Sequence, residues 1–219
     1  MPKITGLKVQ ARNKNRVNVY LDDEFAFGLV KIEAARLRLG QVLAAADVER
    51  LKQADSTETA YEKAIRFLGY RPRSEAEIRQ YLKKQALTNE RLGAVVERLK
   101  RAGLVDDAGF AGQWVENRAM FKPKAKRALR AELRAKGVAA KEIEAAVAGV
   151  DEAKAARQLA AARAPRLMRS SQKLSKLEFK RKLGEFLARR GFDYETISDA
   201  VERAWREHGG ESNSDESED

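Results

Sequence analysis

The residues best suited to chemistry in this chain are arginines at helical spacing in FKPKAKRALRAELRAKG, residues 121–137. Arg127, Arg130 and Arg134, which form the arginine stripe, follow an i, i+3, i+7 spacing. At about 100° per residue, they fall within roughly 60° of one another on a helix. Like charges at such spacing repel by roughly a few tenths of a kcal/mol per pair. The stripe is therefore interpreted as an anion-binding face, with the alternative that long arginines cover apolar surface and stay solvated.

The stripe is particular to its own part of the chain. Two other segments have the same apolar spacing, and only residues 121–137 place arginine at all three stripe positions. The equivalent residues are Ala76, Arg79 and Lys83 in the first segment and Arg181, Gly184 and Ala188 in the third. Because the scaffold does not require charge at these positions, the comparison favours a ligand-binding face in the middle segment.

The overall charge also favours an anionic partner. The formal net charge is +11, and residues 211–219 contribute five negative charges, so the rest of the chain carries +16. An excess of this size attracts nucleic acid, an anionic membrane surface or an acidic protein face. The alternative is a surface that is charged only for solubility, which the clustering of the charge disfavours.

Catalytic and cofactor motifs are scarce. His208 is the only histidine, there is no cysteine, and neither common glycine-rich phosphate-binding motif occurs. Asp106 and Asp107 could hold Mg²⁺, but a turn that caps the next helix is the favoured interpretation. We therefore predict a non-enzymatic binding protein with no catalytic residue, no cofactor and no metal site.

The same features bear on localisation. The lack of cysteine fits a reducing compartment, no apolar stretch is long enough to cross a membrane, and MPKITGLKVQ at the N-terminus lacks the apolar core of a signal peptide. We expect a cytoplasmic protein.

A small sheet is predicted at the N-terminus. RVNVYLDDEFAFGL (16–29) alternates apolar and polar residues around an acidic turn, which is typical of a β-hairpin, and ITGLKVQ (4–10) supplies a third strand. A short helix is predicted over residues 29–39, ending at Gly40. Another helix is predicted to begin at Asp47 as its N-cap.

From about residue 56 to 207 the sequence predicts only helices, in three repeats. Three leucines, Leu82, Leu133 and Leu187, align at offsets of 51 and 54 residues, and apolar residues recur around each of them at matching positions. Glycines mark the predicted helix ends at Gly103, Gly137 and Gly191. Each repeat is predicted to contain three helices joined by turns.

The predicted domains are an N-terminal β-hairpin with helices (1–56), three-helix repeats at 57–106, 107–150 and 151–207, and a disordered acidic tail (208–219). The third repeat carries a basic insertion, 163–176, predicted to be a longer helix–helix connection or a flexible loop. The expected fold class is mainly α, with tandem three-helix repeats forming an elongated, curved array after a small N-terminal sheet. Trp114, Trp205 and Tyr194 are predicted to pack in the core.

Three stretches, residues 71–85, 98–118 and 121–138, resemble the RecX regulatory protein family. The family pattern R-S-x-x-E-[IL]-x-x-x-L is met by Arg73, Ser74, Glu77, Ile78 and Leu82. The pattern L-x-x-x-G-[LY]-[LI]-[DN]-[DE] is met by Leu99, Gly103, Leu104, Val105, Asp106 and Asp107, and [FW]-x-x-x-x-[VW]-x-x-R is similar to Phe110, Val115 and Arg118. The resemblance covers about residues 57–206 in order.

The resemblance implies tandem three-helix repeats and a modulator of RecA, the recombinase that coats single-stranded DNA. Members of the family lie in the helical groove of the RecA filament. They typically inhibit its ATP hydrolysis, strand exchange and co-protease activity, and hence affect recombinational repair and the SOS response. The expected partners are RecA, its nucleoprotein filament, and single- and double-stranded DNA with little sequence specificity. A monomer is expected.

The candidate residues for contact with RecA or DNA are Arg79, Lys83, Lys124, Arg127, Arg130, Arg134, Lys180 and Arg181. One alternative function is a helical transcription regulator acting on duplex DNA, which the all-arginine stripe disfavours because readers of base edges often mix in Asn and Gln. Another is a peripheral membrane protein using residues 163–190, where the apolar side is poor in leucine. The acidic residues of 209–219 are expected to compete with DNA phosphates for the basic face.

Overall fold

The computed structural model describes residues 1–85, 87–169 and 174–208, which fold as two compact units divided between Asp106 and Asp107. The strands are β1 (Ile4–Val9), β2 (Arg16–Leu21) and β3 (Glu24–Val30). The helices are α1 (Lys31–Ala34), α2 (Ala45–Gly69), α3 (Glu75–Leu82), α4 (Asn89–Arg101), α5 (Asp107–Phe121), α6 (Lys126–Ala135), α7 (Ala140–Val147), α8 (Glu152–Arg169), α9 (Lys176–Ala188) and α10 (Tyr194–His208). A mainly helical fold after a small antiparallel sheet is thus confirmed. The acidic segment 209–219 lies outside the described residues.

The three strands pair in the order β1-β2-β3, as the alternating pattern predicted. Asp22 and Asp23 form the tight turn between β2 and β3 with φ of 48° and 69°, the left-handed pair that suits a two-residue hairpin. Val19 and Leu29 are fully buried on the face that packs against α2. The helix predicted over 29–39 is shorter than expected, since α1 covers only Lys31–Ala34.

Helix α2 begins three residues earlier than predicted and contributes to two cores. Its N-cap is Ala44, and Asp47 lies at the third helical position, where its carboxylate accepts a hydrogen bond from the Ala44 N–H at 3.2 Å. The prediction of Asp47 as N-cap is therefore wrong: this acid caps by reaching back. The N-terminal half of α2 packs on the sheet, while Ala60 and Ala64 belong to the core of the first repeat.

One partly buried acid links α2 to the sheet. Asp55 accepts a hydrogen bond from the Val30 N–H at 2.6 Å and pairs with Arg16 at 2.9 Å. Arg16 also donates to Thr59 and to the Gly28 carbonyl. The predicted boundary at residue 56 therefore falls inside a continuous helix that both sides require.

The repeat predicted from aligned leucines is present in the structure. Leu82, Leu133 and Leu187 are each fully buried, one in each of the three helical cores. Gly103, Gly137 and Gly191 end helices with φ of 68°, 76° and 89°, a conformation that favours glycine. A capping box begins α3, because Ser74 accepts from the Glu77 N–H at 3.2 Å.

The predicted connection over 163–176 is wrong in its first half. Helix α8 continues to Arg169 through Pro165. Its buried residues Ala156, Ala160, Ala164 and Leu167 keep helical spacing across the proline, and this packing outweighs the one backbone hydrogen bond that proline removes. Residues 170–173 lie outside the described chain. His208, assigned from the sequence to the tail, is the last residue of α10.

Candidate anion-binding surface

The arginine stripe lies on α6, where its three members have different surroundings. Arg127 and Arg134 are exposed and make no ion pair with any residue that the structure describes. Arg130 instead pairs with Glu144 of α7, with Nη2–Oε2 of 2.7 Å and Nε–Oε1 of 2.9 Å. This hydrogen bonding holds the pKa of Glu144 below its ordinary value, and the charge of Arg134 acts in the same direction. The middle of the stripe is thus neutralised within the repeat.

The other candidates divide in the same way. Five of the eight form ion pairs within the chain: Arg79 with Glu75, Lys124 with Glu132, Arg130 with Glu144, Lys180 with Glu202, and Arg181 with Glu185. The remaining three, Lys83, Arg127 and Arg134, are exposed without an ion pair to the described residues. Arg79 and Lys83 lie in the first unit and the other six in the second.

Lys124 belongs to a partly buried cluster around Glu132. The Glu132 carboxylate accepts hydrogen bonds from Trp114 Nε1 at 2.8 Å, Arg118 Nε at 2.9 Å and Lys124 Nζ. Burial by itself would raise the pKa of Glu132, but the bonds from Lys124, Arg118 and Trp114 together hold it below its ordinary value. Lys124 therefore has a structural partner and is a weaker candidate for contact with a ligand.

The second and third repeats meet beside the stripe, inside the second unit. The Ala125 N–H donates to the Arg190 carbonyl at 3.1 Å, and a Cβ added to Gly191 would lie 2.8 Å from the Ala128 Cβ. Helix α6 has no side-chain cap of its own, and Glu152 of α8 accepts from the Lys126 N–H at 2.9 Å. The turn between α9 and α10 is therefore seated on the first turn of α6, the turn that carries Arg127.

This junction brings in basic residues that were not singled out from the sequence. Arg189 is exposed and Arg190 half-buried in the turn before Gly191, and Arg163 of α8 lies near Arg190. The available signal was the pair of arginines directly before a helix-ending glycine.

The three aromatic residues predicted to pack in the core differ in outcome. Trp114 packs 5.9 Å from Phe110, and Trp205 packs 5.2 Å from Phe179, measured between ring centroids, so both predictions are confirmed. Tyr194 is 86% exposed, and that prediction is wrong. Tyr194 is the first residue of α10, ahead of the buried Ala200, Val201 and Ala204, which take up the core-facing side of that helix.

Across 1–85, 87–169 and 174–208, no three His, Cys, Asp or Glu side chains come together as metal ligands would. Over the same residues, none of the helices combines the length and the hydropathy that a membrane crossing requires.

Comparison with known families gives four consecutive matches along the chain. They are the regulatory protein RecX N-terminal domain (2–42) and the RecX first (60–99), second (106–147) and third (151–201) three-helix domains. The regulatory protein RecX of Listeria monocytogenes serovar 1/2a is 32% identical over 207 residues, which covers 94% of this chain and 77% of that protein. The regulatory protein RecX of Bacillus subtilis strain 168 is 31% identical over 208 residues, with 93% and 77% covered.

Solved structures agree with these matches. A crystal structure of regulatory protein RecX superposes with a TM-score of 0.72 at 26% identity, covering 91% of this chain and all of that one. RecX from Lactobacillus salivarius shares the fold, with a TM-score of 0.60 at 20% identity over 69% of this chain and 97% of that one. With four domain matches in order and relatives above 30% identity over most of its length, the chain belongs to the RecX family of regulatory proteins.

Proposed function

We propose that this protein binds RecA and RecA–single-stranded DNA filaments and inhibits RecA ATP hydrolysis, strand exchange and co-protease activity, without catalysing a reaction itself. The family membership supports RecA as the partner. The protein would thereby restrain recombinational repair and the SOS response. It would act as a monomer in the cytoplasm, where RecA filaments form on DNA.

The observation that carries the DNA part of the proposal is the pair of unneutralised arginines on α6. Arg127 and Arg134 are exposed, and the neighbouring α9–α10 turn adds Arg189. Phosphate contacts need cations without an internal partner, because a paired cation must first break its own ion pair. The proposed contact surface therefore centres on Arg127 and Arg134, while Arg130 and Lys124 pair with acids of their own repeat.

A sequence-specific duplex reader is the less favoured function. Base edges are read by bidentate Arg, Asn and Gln side chains, usually in combination. The exposed face of α6 carries no Asn or Gln, since the helix reads KRALRAELRA. Backbone contact without base readout suits a protein that meets any DNA sequence that RecA coats.

The direct test is the rate of RecA ATP hydrolysis on single-stranded DNA, with this protein added from well below RecA up to an equimolar amount. Inhibition at a small molar fraction is expected, because a protein acting on filament ends or along the groove need not match every protomer. An unchanged rate at equimolar protein, with DNA binding intact, would remove RecA as the partner.

Two double variants test whether Arg127 and Arg134 form the contact surface. Arg127→Ala with Arg134→Ala is expected to weaken inhibition, because it removes the two arginines of α6 that form no ion pair with a described residue. The matched control is Arg50→Ala with Arg203→Ala, which removes the same charge from two exposed arginines that pair with acids on their own helices. If both double variants inhibit RecA equally, inhibition depends on net charge alone and the arginine stripe is not the contact surface.

A further inference from the structure

One position recurs in all three repeats and has different surroundings in each. It is the residue directly before the aligned leucine: Tyr81, Glu132 and Phe186. In the first repeat Tyr81 stacks on Phe67 with ring centroids 4.2 Å apart, and the Arg73 guanidinium lies 3.4 Å from the Phe67 centroid. Arg73 Nε also donates to the Phe67 carbonyl at 3.1 Å, so this cation has a partner.

In the second repeat the same position is an acid. Glu132 pairs with Arg118 and Lys124, which are the residues that align with Phe67 and Arg73 at the offset of 51. An ionic cluster thus replaces an aromatic stack at one place in the scaffold. The positive charge gathered there is matched by a carboxylate.

In the third repeat this position is Phe186, and two arginines from other positions of the repeat lie beside its ring. The Arg190 guanidinium lies 3.8 Å from the centroid of the Phe186 ring, and that of Arg163 lies 5.5 Å from it. Neither arginine forms an ion pair with a described residue. Burial lowers the pKa of Arg190, and the charges of Arg189 and Arg163 lower it further. Cation–π contacts with Phe186 attract both guanidinium groups towards the ring despite this repulsion.

Arg163 also has unused hydrogen-bonding capacity. Its Nε is enclosed by the protein and has no hydrogen-bond partner among the described residues. A buried donor without a partner is unfavourable, so a ligand that reorients the guanidinium and accepts a hydrogen bond from Nε gains more than on an open surface. Two guanidinium groups beside one ring can both donate to a single tetrahedral oxyanion.

We propose that Arg163 and Arg190, held against Phe186, form a binding site for one phosphate group in the backbone of single-stranded nucleic acid. This site is a more specific form of the DNA contact in the proposed function and rests on it. One hydrogen bond from Arg190 Nη1 to the Phe186 carbonyl at 3.3 Å and the cation–π contact with the ring hold the guanidinium in place before the ligand arrives. Such preorganisation lowers the entropic cost of binding.

The neighbouring residues favour a nucleic-acid strand over an acidic peptide. Arg189 follows in the same turn, and that turn is seated on the part of α6 that carries Arg127. Cations therefore continue from Arg163 across the junction of the two repeats. A repeating phosphodiester can use each of them, whereas acidic side chains of a peptide recur without fixed spacing.

The test is binding of a fluorescent single-stranded oligothymidylate to the full chain without RecA, measured by anisotropy over a range of salt concentrations. Arg163→Gln and Arg190→Gln are each expected to lower the affinity about tenfold, because a charge-assisted hydrogen bond is lost. Each should also reduce the slope of log K against log salt by about 0.7, the amount expected for one phosphate. Arg203→Gln, which removes the same charge from an arginine paired with Glu207, should leave the slope unchanged.

Two controls accompany these variants: one restores the charge, and the other checks that each variant is folded. Arg163→Lys should recover most of the slope, since it restores the charge, and circular dichroism confirms that each variant is folded. If Arg190→Gln unfolds, Arg163→Gln and Arg163→Lys decide the matter. Wild-type slopes in both Gln variants would overturn the site.

Two other results would also overturn the assignment. If ATP or inorganic phosphate protects the wild-type chain against heat but not the Gln variants, and the oligonucleotide binds all of them equally, the site takes a free phosphate. If the Gln variants bind DNA normally but lose inhibition of RecA, the cluster faces a protein. Failure of the wild-type chain to inhibit RecA would instead contradict the proposed function and leave the phosphate assignment standing on the binding data.

Discussion

Arg130 and Glu144 form a two-pronged ion pair across α6 and α7, with 2.7 Å between Nη2 and Oε2 and 2.9 Å between Nε and Oε1. Glu144 therefore neutralises Arg130, the central member of the arginine stripe. Its neighbours Arg127 and Arg134 stay exposed, so the stripe offers two cations where the sequence shows three.

Glu144→Gln should convert Arg130 into a third free cation. The neutral amide no longer holds the guanidinium by charge, and we expect tighter binding of single-stranded DNA with a salt slope larger by up to about 0.7. Anisotropy measures both. Glu207→Gln frees Arg203 by the same chemistry on α10 and serves as the control. Equal gains in both variants would mean that any added positive charge suffices.

Glu132→Gln should destabilise the second repeat by about 1–3 kcal/mol, because three donors lose a charged acceptor in a partly buried place. Thermal or urea unfolding measures the loss. Glu116→Gln, on the exposed side of α5, is the matched control and should change little. A neutral result for Glu132→Gln would show that the cluster contributes no net stability.

The same residue predicts a dependence on pH. The pKa of Glu132 is lowered in the folded chain, so its ionised form stabilises the fold. This contribution is fully present above the unfolded-state pKa of about 4.3 and is lost as the pH falls through the lower folded-state pKa. The stability difference between wild type and Glu132→Gln should therefore be constant near neutral pH and shrink in acid. A difference that grows in acid would contradict the assigned sign.

Gly191→Ala should cost at least about 2 kcal/mol and loosen the junction of the second and third repeats. The residue has φ of +89°, and a new Cβ would lie 2.8 Å from the Ala128 Cβ. Gly149→Ala, in the same unit and with nothing within 4 Å of its added Cβ, is the control. Hydrogen exchange at Ala125, whose N–H donates to Arg190, reports the junction directly and should become faster.

Removing residues 209–219 should strengthen DNA binding, most of all at low salt. The segment carries five acids and no base, and its charge competes with phosphates for the basic residues. Replacing the acids by Ser and Asn keeps the length and should have the same effect. If only the truncation raises the DNA affinity, the segment hinders binding by its size. Unchanged affinity in both variants would show that the segment does not compete with DNA.

Local signals explain why much of the fold is readable from the sequence. Ser74 and Glu77 cap α3 as their spacing predicts, and the helix-ending glycines have the left-handed φ that selects them. These features depend on residues within one turn of each other. The spacing of apolar residues indicated the remaining helices. In α8 that spacing continues across Pro165, where the composition suggested a loop.

The candidate site was harder to predict, because its side-chain contacts join residues that are far apart in the sequence. Which arginine of the stripe is neutralised depends on how α7 packs beside α6, and the grouping of Arg163 with Arg190 depends on α8 meeting the end of α9. Side-chain types and helical spacing leave both open. A charged residue can be placed on a helix face from sequence, but its partner comes from tertiary packing.

Helix α2 has a consequence for how the chain can be divided. Its first half packs on the sheet and its second half completes the first three-helix core, and the Asp55 hydrogen bond to Val30 fixes the two together. A rigid helix shared by two cores transmits the loss of either one to the other, so the sheet and the first repeat should melt as one cooperative unit. Evolution could then duplicate or exchange the later repeats more freely than the first, which is inseparable from the strands that precede it.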